Sequence, residues 1–178
     1  LGQFGSRSER VRWRRGIGGT PHLSDGVLYA MERLRLHALT PADGTTQWTV
    51  TWDEAEFDRR LCLQRDLGID AEHLYVAGCD GLRALRRSDG QRAWFAETSL
   101  RSGVAVGPDR VYANGEDLLA IDARIGETAW RASVGGDRLT RPAVADGLVV
   151  HTNRPDGVVT AFDTIAGDRQ WQYRTNVE

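Results

Sequence analysis

ALTPADGTTQW (Ala38 to Trp48), ALRRSDGQRAW (Ala84 to Trp94), AIDARIGETAW (Ala120 to Trp130) and AFDTIAGDRQW (Ala161 to Trp171) are four versions of one eleven-residue phrase. Each has Ala first, Gly seventh and Trp eleventh: Ala38, Gly44, Trp48; Ala84, Gly90, Trp94; Ala120, Gly126, Trp130; Ala161, Gly167, Trp171. The starts, at 38, 84, 120 and 161, are 46, 36 and 41 residues apart. A period near 40 marks one supersecondary unit stacked on copies of itself.

Upstream of each phrase lies a short apolar run: Val27-Leu28-Tyr29, Leu74-Tyr75-Val76, Val111-Tyr112-Ala113 and Leu148-Val149-Val150. Turn residues such as Asp25-Gly26, Pro108-Asp109 and Asp146-Gly147 introduce three of these runs, as they would short strands joined by hairpins. The fourth unit reads as strands over Arg141–Ala145, Gly147–His151, Val158–Asp163 and Arg169–Arg174. Four antiparallel strands per unit make a propeller blade, so the expected fold is an all-β propeller.

In a blade the phrase has a physical sense. Its Ala closes the third strand, where a small side chain lets blades approach closely. Its Gly supplies a positive φ in the turn to the fourth strand. Its Trp opens that outer strand and can lay its ring on the adjacent blade, burying about 150–250 Å², roughly 4–6 kcal/mol of gross transfer energy.

The pattern A-x-D-x-x-x-G-x-x-x-W resembles the tryptophan-docking repeat of the PQQ-like (quinoprotein/BamB-type) β-propellers, over about Trp13 to Arg174. The third-position Asp is present as Asp122 and Asp163 but replaced by Thr40 and Arg86, so the first two turns are expected to lack that side-chain cap. WD40 repeats would place Trp-Asp at the end of the third strand, and Trp52-Asp53 falls outside that register. The resemblance implies a ring of seven or eight blades. Four would be held here, near 16–52, 61–98, 99–134 and 137–175, in one domain over 1–178. Val11-Arg12-Trp13-Arg14-Arg15 resembles Gln170-Trp171-Gln172-Tyr173-Arg174, so 7–15 reads as the outer strand of a preceding or closing blade. Residue 1 is Leu and the one Met is Met31, and there is neither signal peptide nor lipid-attachment Cys near the start. A stretch of a larger propeller is expected. A homodimer of two half-propellers is the other way to cover open blade faces.

Composition excludes two classes of partner. No run approaches 18 apolar residues, so no membrane-spanning helix is expected. The net charge is −2 with acids and bases interspersed, which gives no basic stripe for nucleic acid. All 23 basic residues are arginine, a codon-usage signature of a GC-rich genome that no fold requires.

One unit carries an insertion of about nine residues, judged from the spacing between its docking Trp and the next second strand. It falls at Thr51 to Arg60 and includes Trp52, Asp53, Glu56, Phe57, Arg59 and Arg60. Loops on rigid scaffolds carry binding residues, and aromatic and arginine side chains anchor protein interfaces. These six are therefore the candidates for contact with a protein partner. The competing reading packs Trp52 and Phe57 against their own blade.

Catalytic chemistry finds no constellation. Quinoprotein dehydrogenases, which the repeat resembles, also carry adjacent cysteines, a calcium site and a catalytic Asp. Cys62 and Cys79 are 17 apart and fit buried thiols, a disulfide or unpaired thiols. His22, His37, His73 and His151 show no ligand spacing. Gly16-Ile17-Gly18-Gly19 leads into no helix, so it is weak evidence for a phosphate loop. No cofactor, metal or catalytic residue is assigned. Two classes stay open: a non-catalytic scaffold that binds a protein partner, BamB-like or like the sensor domain of a membrane kinase and exported by analogy with the family, and part of a PQQ-dependent dehydrogenase.

Overall fold

The structure, a computed structural model, describes residues 12–16, 20–32, 34–53, 67–78, 80–135, 140–153 and 156–175. Their strands form four sheets of four. Blade 1 holds β1 (His22–Ser24), β2 (Val27–Glu32), β3 (Arg35–Leu39) and β4 (Thr46–Thr51), and blade 2 holds β5 (Leu67–Ile69), β6 (His73–Ala77), β7 (Gly81–Arg86) and β8 (Arg92–Glu97). Blade 3 holds β9 (Val104–Val106), β10 (Arg110–Asn114), β11 (Asp117–Asp122) and β12 (Thr128–Ser133). Blade 4 holds β13 (Ala143–Ala145), β14 (Leu148–Asn153), β15 (Val158–Asp163) and β16 (Arg169–Arg174). Strands follow chain order across each sheet, every pairing is antiparallel, and no helix occurs among the described residues. The chain is an all-β propeller.

Blades 2 and 3 are each sandwiched between two neighbours, so their middle strands read as near-continuous apolar runs. Leu74 to Ala77 and Leu118 to Ile121 are all buried, whereas the outer strand β8 alternates because its edge faces solvent. The inner strands β5, β9 and β13 approach one another near the axis. The β1–β2 and β13–β14 hairpins turn on Asp25-Gly26 (φ 46° and 74°) and Asp146-Gly147 (φ 51° and 75°). Two successive positive φ values define the type I′ turn, whose twist matches that of the strands it joins.

The core lies in the seams. Tyr29, Met31, Leu36, Leu67, Leu74, Val76 and Leu85 fill the seam between blades 1 and 2. Tyr75, Leu82, Trp94, Val104, Val111, Leu119 and Ile121 fill the next, and Tyr112, Leu118, Val149 and Phe162 the third. One further device repeats in every blade. The pairing of third and fourth strands shifts register just after the phrase Ala, between Ala38/Leu39, Ala84/Leu85, Ala120/Ile121 and Ala161/Phe162. The extra residue on the outer strand, Gln47, Ala93, Ala129 or Gln170, precedes the Trp, and a bulge there re-aims the next side chain.

Of the segment read as an outer strand at 7–15, residues 12–15 belong to no sheet, and 7–11 lie outside the described residues. Side chains fasten it instead. Trp13 lies against blade 1, and Arg15 donates to Thr46 Oγ1 at 2.9 Å.

Candidate functional site

Four indoles occupy equivalent places. Trp13 meets the turn of blade 1, Trp48 that of blade 2, Trp94 that of blade 3 and Trp130 that of blade 4. A Cβ placed on Gly44, Gly90, Gly126 or Gly167 would lie 2.8, 2.7, 2.6 or 2.6 Å from the nearest ring carbon, and φ at these glycines is 74°, 73°, 79° and 77°. Any other L-residue would meet the ring and adopt a backbone conformation that costs about 1–2 kcal/mol. Each indole Nε1 donates to the carbonyl of the phrase's fourth residue in the next blade: Pro41 at 2.9 Å, Arg87 at 2.9 Å, Ala123 at 3.0 Å and Thr164 at 3.1 Å.

A tyrosine completes the arrangement in three blades. Tyr29, Ala38 and Trp48 stand opposite one another across β2, β3 and β4, as do Tyr75, Ala84 and Trp94, and Tyr112, Ala120 and Trp130. The rings converge over the fully buried alanine, with centroids 6.0, 5.8 and 5.9 Å apart. Tyr112 donates to the Thr164 carbonyl that Trp130 uses, at 3.3 Å, and the Tyr75 oxygen lies 3.2 Å from the Ala123 carbonyl that Trp94 uses. Burial, together with the Asp70 carboxylate that accepts from the Tyr75 hydroxyl at 2.5 Å, holds that phenol far above its ordinary pKa. In blade 4, Val150 takes the tyrosine's place opposite Ala161.

The turns are capped in two ways. Asp122 accepts from Arg124 N and Ile125 N, and Asp163 from Ile165 N and Ala166 N. The first two turns, expected to lack a cap, have one from the sixth phrase position. Asp43 accepts from Thr45 N and Asp89 from Gln91 N, both at 2.9 Å. These backbone bonds lower the Asp43 and Asp163 carboxyls below the usual carboxylate range, and for Asp89 the Arg86 guanidinium leads.

Arginines strap the blades together along one rim. Arg87 donates to Asp25 Oδ2 (2.8 Å), the Asp70 carbonyl (2.8 Å), the Tyr29 hydroxyl (3.1 Å) and Ser24 Oγ (3.2 Å), joining the hairpins of blades 1 and 2. Arg110 reaches the Thr164 and Ile165 carbonyls of blade 4.

The contact candidates separate. Trp52 is 7% exposed and packs in the seam between blades 1 and 2, its backbone N–H donating to the Leu34 carbonyl at 2.9 Å. It is corrected from a surface anchor to a core residue, because an indole beside an apolar seam gains more by burial than by standing in water. Asp53 is exposed. Glu56, Phe57, Arg59 and Arg60 lie outside the described residues, and so do Cys62 and Cys79. The large exposed aromatics among the described residues are Phe95 on β8 (37%) and, on β16, Trp171 (43%) and Tyr173 (63%). Trp171 stands opposite Ala161 in the same register as the three buried rows. It is exposed because blade 4 has no neighbour on that face among the described residues.

The histidines sit in four separate settings. His22 Nε2 accepts from Leu67 N at 3.5 Å, and His73 lies 3.9 Å from Asp70. His37 is buried, with Thr49 Oγ1 at 2.9 Å, Arg15 at 3.4 Å and Glu32 at 3.3 Å. Burial and then the Arg15 charge lower its pKa against the pull of Glu32. His151 is 1% exposed and its pKa is lowered by burial. No three acidic, His or Cys side chains converge as a metal site among the described residues.

Residues 78–178 match the family profile of the outer membrane protein assembly factor BamB. The BamB of Burkholderia pseudomallei is 31% identical over 108 residues, 57% of this chain and 27% of that protein. That of Salmonella typhimurium is 32% identical over 132 residues, 71% of this chain and 24% of that protein. The chain thus spans about a quarter of the length of these relatives. The crystal structure of BamB from Moraxella catarrhalis superposes with a TM-score of 0.69 at 20% identity, covering 88% of this chain and 48% of that one. A quinohemoprotein alcohol dehydrogenase of Pseudomonas putida gives 0.72 at 21% identity over 90% of this chain and 34% of its own, a likeness of fold alone. With its profile matched over more than half its length and its seams built from one repeated row, the chain belongs to the family of the outer membrane protein assembly factor BamB.

Proposed function

We propose that this chain is a non-catalytic propeller scaffold that binds a protein partner in outer-membrane protein assembly, in the exported setting its relatives' name implies. Family membership carries the reading. Apart from Trp171, the residues shared by all four units are taken up in the seams, which leaves the blade edges and the insertion for a partner. Asp53, Glu56, Phe57, Arg59 and Arg60 are its proposed contacts, and the buried Trp52 fixes the chain where that stretch begins. We also propose that a further blade of the same repeat covers the open face of blade 4. Five indoles, counting Trp13, present themselves to four acceptor turns, and Trp171 is the one without a turn. A second copy of the chain would have to displace Trp13 from the blade 1 turn, which favours an added blade over a homodimer.

The test is genetic and biochemical. The full reading frame should restore outer-membrane protein levels in a host strain lacking its own BamB. The Phe57→Ala, Arg59→Ala double variant should lower the affinity for the captured assembly component about 30-fold, the effect of losing about 2 kcal/mol, with the thermal midpoint unchanged. Failure to restore, together with stoichiometric binding of pyrroloquinoline quinone, would overturn the scaffold in favour of a dehydrogenase.

A further inference from the structure

The seam between blades 3 and 4 differs from the other two. Asn114 follows Tyr112 by two residues on β10, the place that Met31 and Ala77 hold in blades 1 and 2. His151 on β14 occupies the place of Val76 and Ala113. Those four equivalents are apolar and buried, at 0–2% exposure, whereas Asn114 (0%) and His151 (1%) put an amide and an imidazole into the same depth of core.

Their hydrogen bonds fix both side chains. Asn114 Nδ2 donates to the Thr140 carbonyl at 2.7 Å, which turns Oδ1 toward β14. That oxygen stands 3.1 Å from His151 Nδ1, so Nδ1 carries the ring proton and Nε2 is a bare lone pair. Asn153, two residues on along the same face of β14, donates from Nδ2 to Asp156 Oδ2 at 2.6 Å, leaving Oδ1 as an acceptor. His151 Nε2 and Asn153 Oδ1 are the two buried side-chain atoms without a hydrogen-bond partner among the described residues. Both accept, so neither can satisfy the other.

We propose that this seam is a binding site for one small neutral molecule that donates two hydrogen bonds, a water, held between His151 Nε2 and Asn153 Oδ1. Residues i and i+2 of a strand have Cα atoms about 6.6 Å apart on one face, and a water bridges acceptors up to about 5.6 Å from each other. Thr160 stands directly across from His151, accepts from Gln172 Nε2 at 3.2 Å, and keeps its own hydroxyl proton to donate to the same molecule. Three polar partners are what buried waters ordinarily have. Burial beside His151 opposes a positive charge, which favours a neutral donor over a cationic one.

Two measurements on the intact chain decide it. A crystal structure at about 1.5 Å or better should show one ordered oxygen within hydrogen-bonding distance of both atoms. Long-range proton–nitrogen NMR should find His151 as the Nδ1–H tautomer, with ring protons showing exchange contacts to a long-lived water. A dry site, an anomalous metal peak or an Nε2–H tautomer would overturn the proposal. In the Asn114→Met, His151→Val variant, which gives this seam the residue pair of blades 1 and 2, the water should be lost. A water that stays in place without the imidazole would also overturn it. Should that variant fail to fold, the tautomer and the exchange contacts of the unaltered chain still give the answer.

Discussion

Replacing Gly126 by Ala separates two reasons for glycine in the phrase. The first is conformational: φ is 79°, and a Cβ there costs about 1–2 kcal/mol whatever surrounds it. The second is the ring. The new Cβ would lie 2.6 Å from Trp94 Cε3, about 1 Å inside ordinary contact. Trp94 is 9% exposed, donates to Ala123 O at 3.0 Å and packs 5.8 Å from Tyr75, so it has little room to retreat. Overpacking of this kind costs about 1–3 kcal/mol. Gly126→Ala should therefore destabilise the chain by about 3 kcal/mol in all.

Trp94→Ala alone should cost about 3–5 kcal/mol, as buried aromatic truncations do. The Tyr75 hydroxyl gives its one proton to Asp70 at 2.5 Å, so the Ala123 carbonyl loses its main side-chain donor with the indole and the cost should lie toward the upper end of that range. With the indole gone, Gly126→Ala loses its clash and should cost only the conformational 1–2 kcal/mol. Urea unfolding of the four proteins, followed by far-ultraviolet circular dichroism so that the lost indole does not alter the signal, gives the cycle. The expected coupling is about 1–3 kcal/mol. A coupling below about 0.5 kcal/mol, or a Gly126→Ala cost that is the same in both backgrounds, would refute the ring-on-glycine account.

Trp171→Ala should change the stability of this chain by less than about 1 kcal/mol, because the indole is 43% exposed; a loss equal to that of Trp94→Ala would mean another surface already covers it. His37 and His151 have pKa values below the ordinary 6.5, so the unfolded chain binds more protons, and stability should be full above about pH 6.5 and fall as pH drops below it; a flat melting temperature between pH 7.5 and 5 would contradict this. Arg87→Met should cost about 1–2 kcal/mol through the lost strap and let the Asp25 carboxyl titrate nearer its ordinary range, which carbon-detected NMR would register; an unmoved Asp25 would refute the pairing.

The repeat was legible because three phrase positions serve one seam. Ala, Gly and Trp keep their spacing since ring, turn and small side chain must meet at a fixed offset along two strands. The tyrosine of the same row was less visible. Tyr29 and Tyr75 precede their alanines by nine residues and Tyr112 by eight, and blade 4 has Val150, so no fixed spacing marks it. The caps of the first two turns escaped notice because the aspartate moved from third to sixth position, from the place of Asp122 to that of Asp43 and Asp89, while still accepting a backbone N–H of the same turn. Trp52 left two readings open because an aromatic in an irregular stretch carries no periodicity, and only the apolar seam beside it shows that it is buried. Asn114 and His151 are 37 residues apart with no pattern linking them, and only the packing of β10 against β14 brings them together.

The docking chemistry has a direction. Each blade offers an indole on one face and a glycine turn with its carbonyl on the other, so blades join head to tail and never face to face through this row. A head-to-tail interface leaves one donor and one acceptor unused at its ends unless it closes into a ring. Here the acceptor of blade 1 is filled by Trp13 and the donor of blade 4 is not filled, which is why an added blade, and not a second copy, is proposed for Trp171. The same direction bears on recognition. Apart from Trp171 on the open face of blade 4, the residues common to the four units line the seams and cannot meet a partner without opening the propeller. On the proposed scaffold reading, selectivity for a partner would come from positions where the units differ: the insertion at Thr51 to Arg60 and single-blade surface groups such as Phe95, over whose ring Arg83 stacks at 4.7 Å.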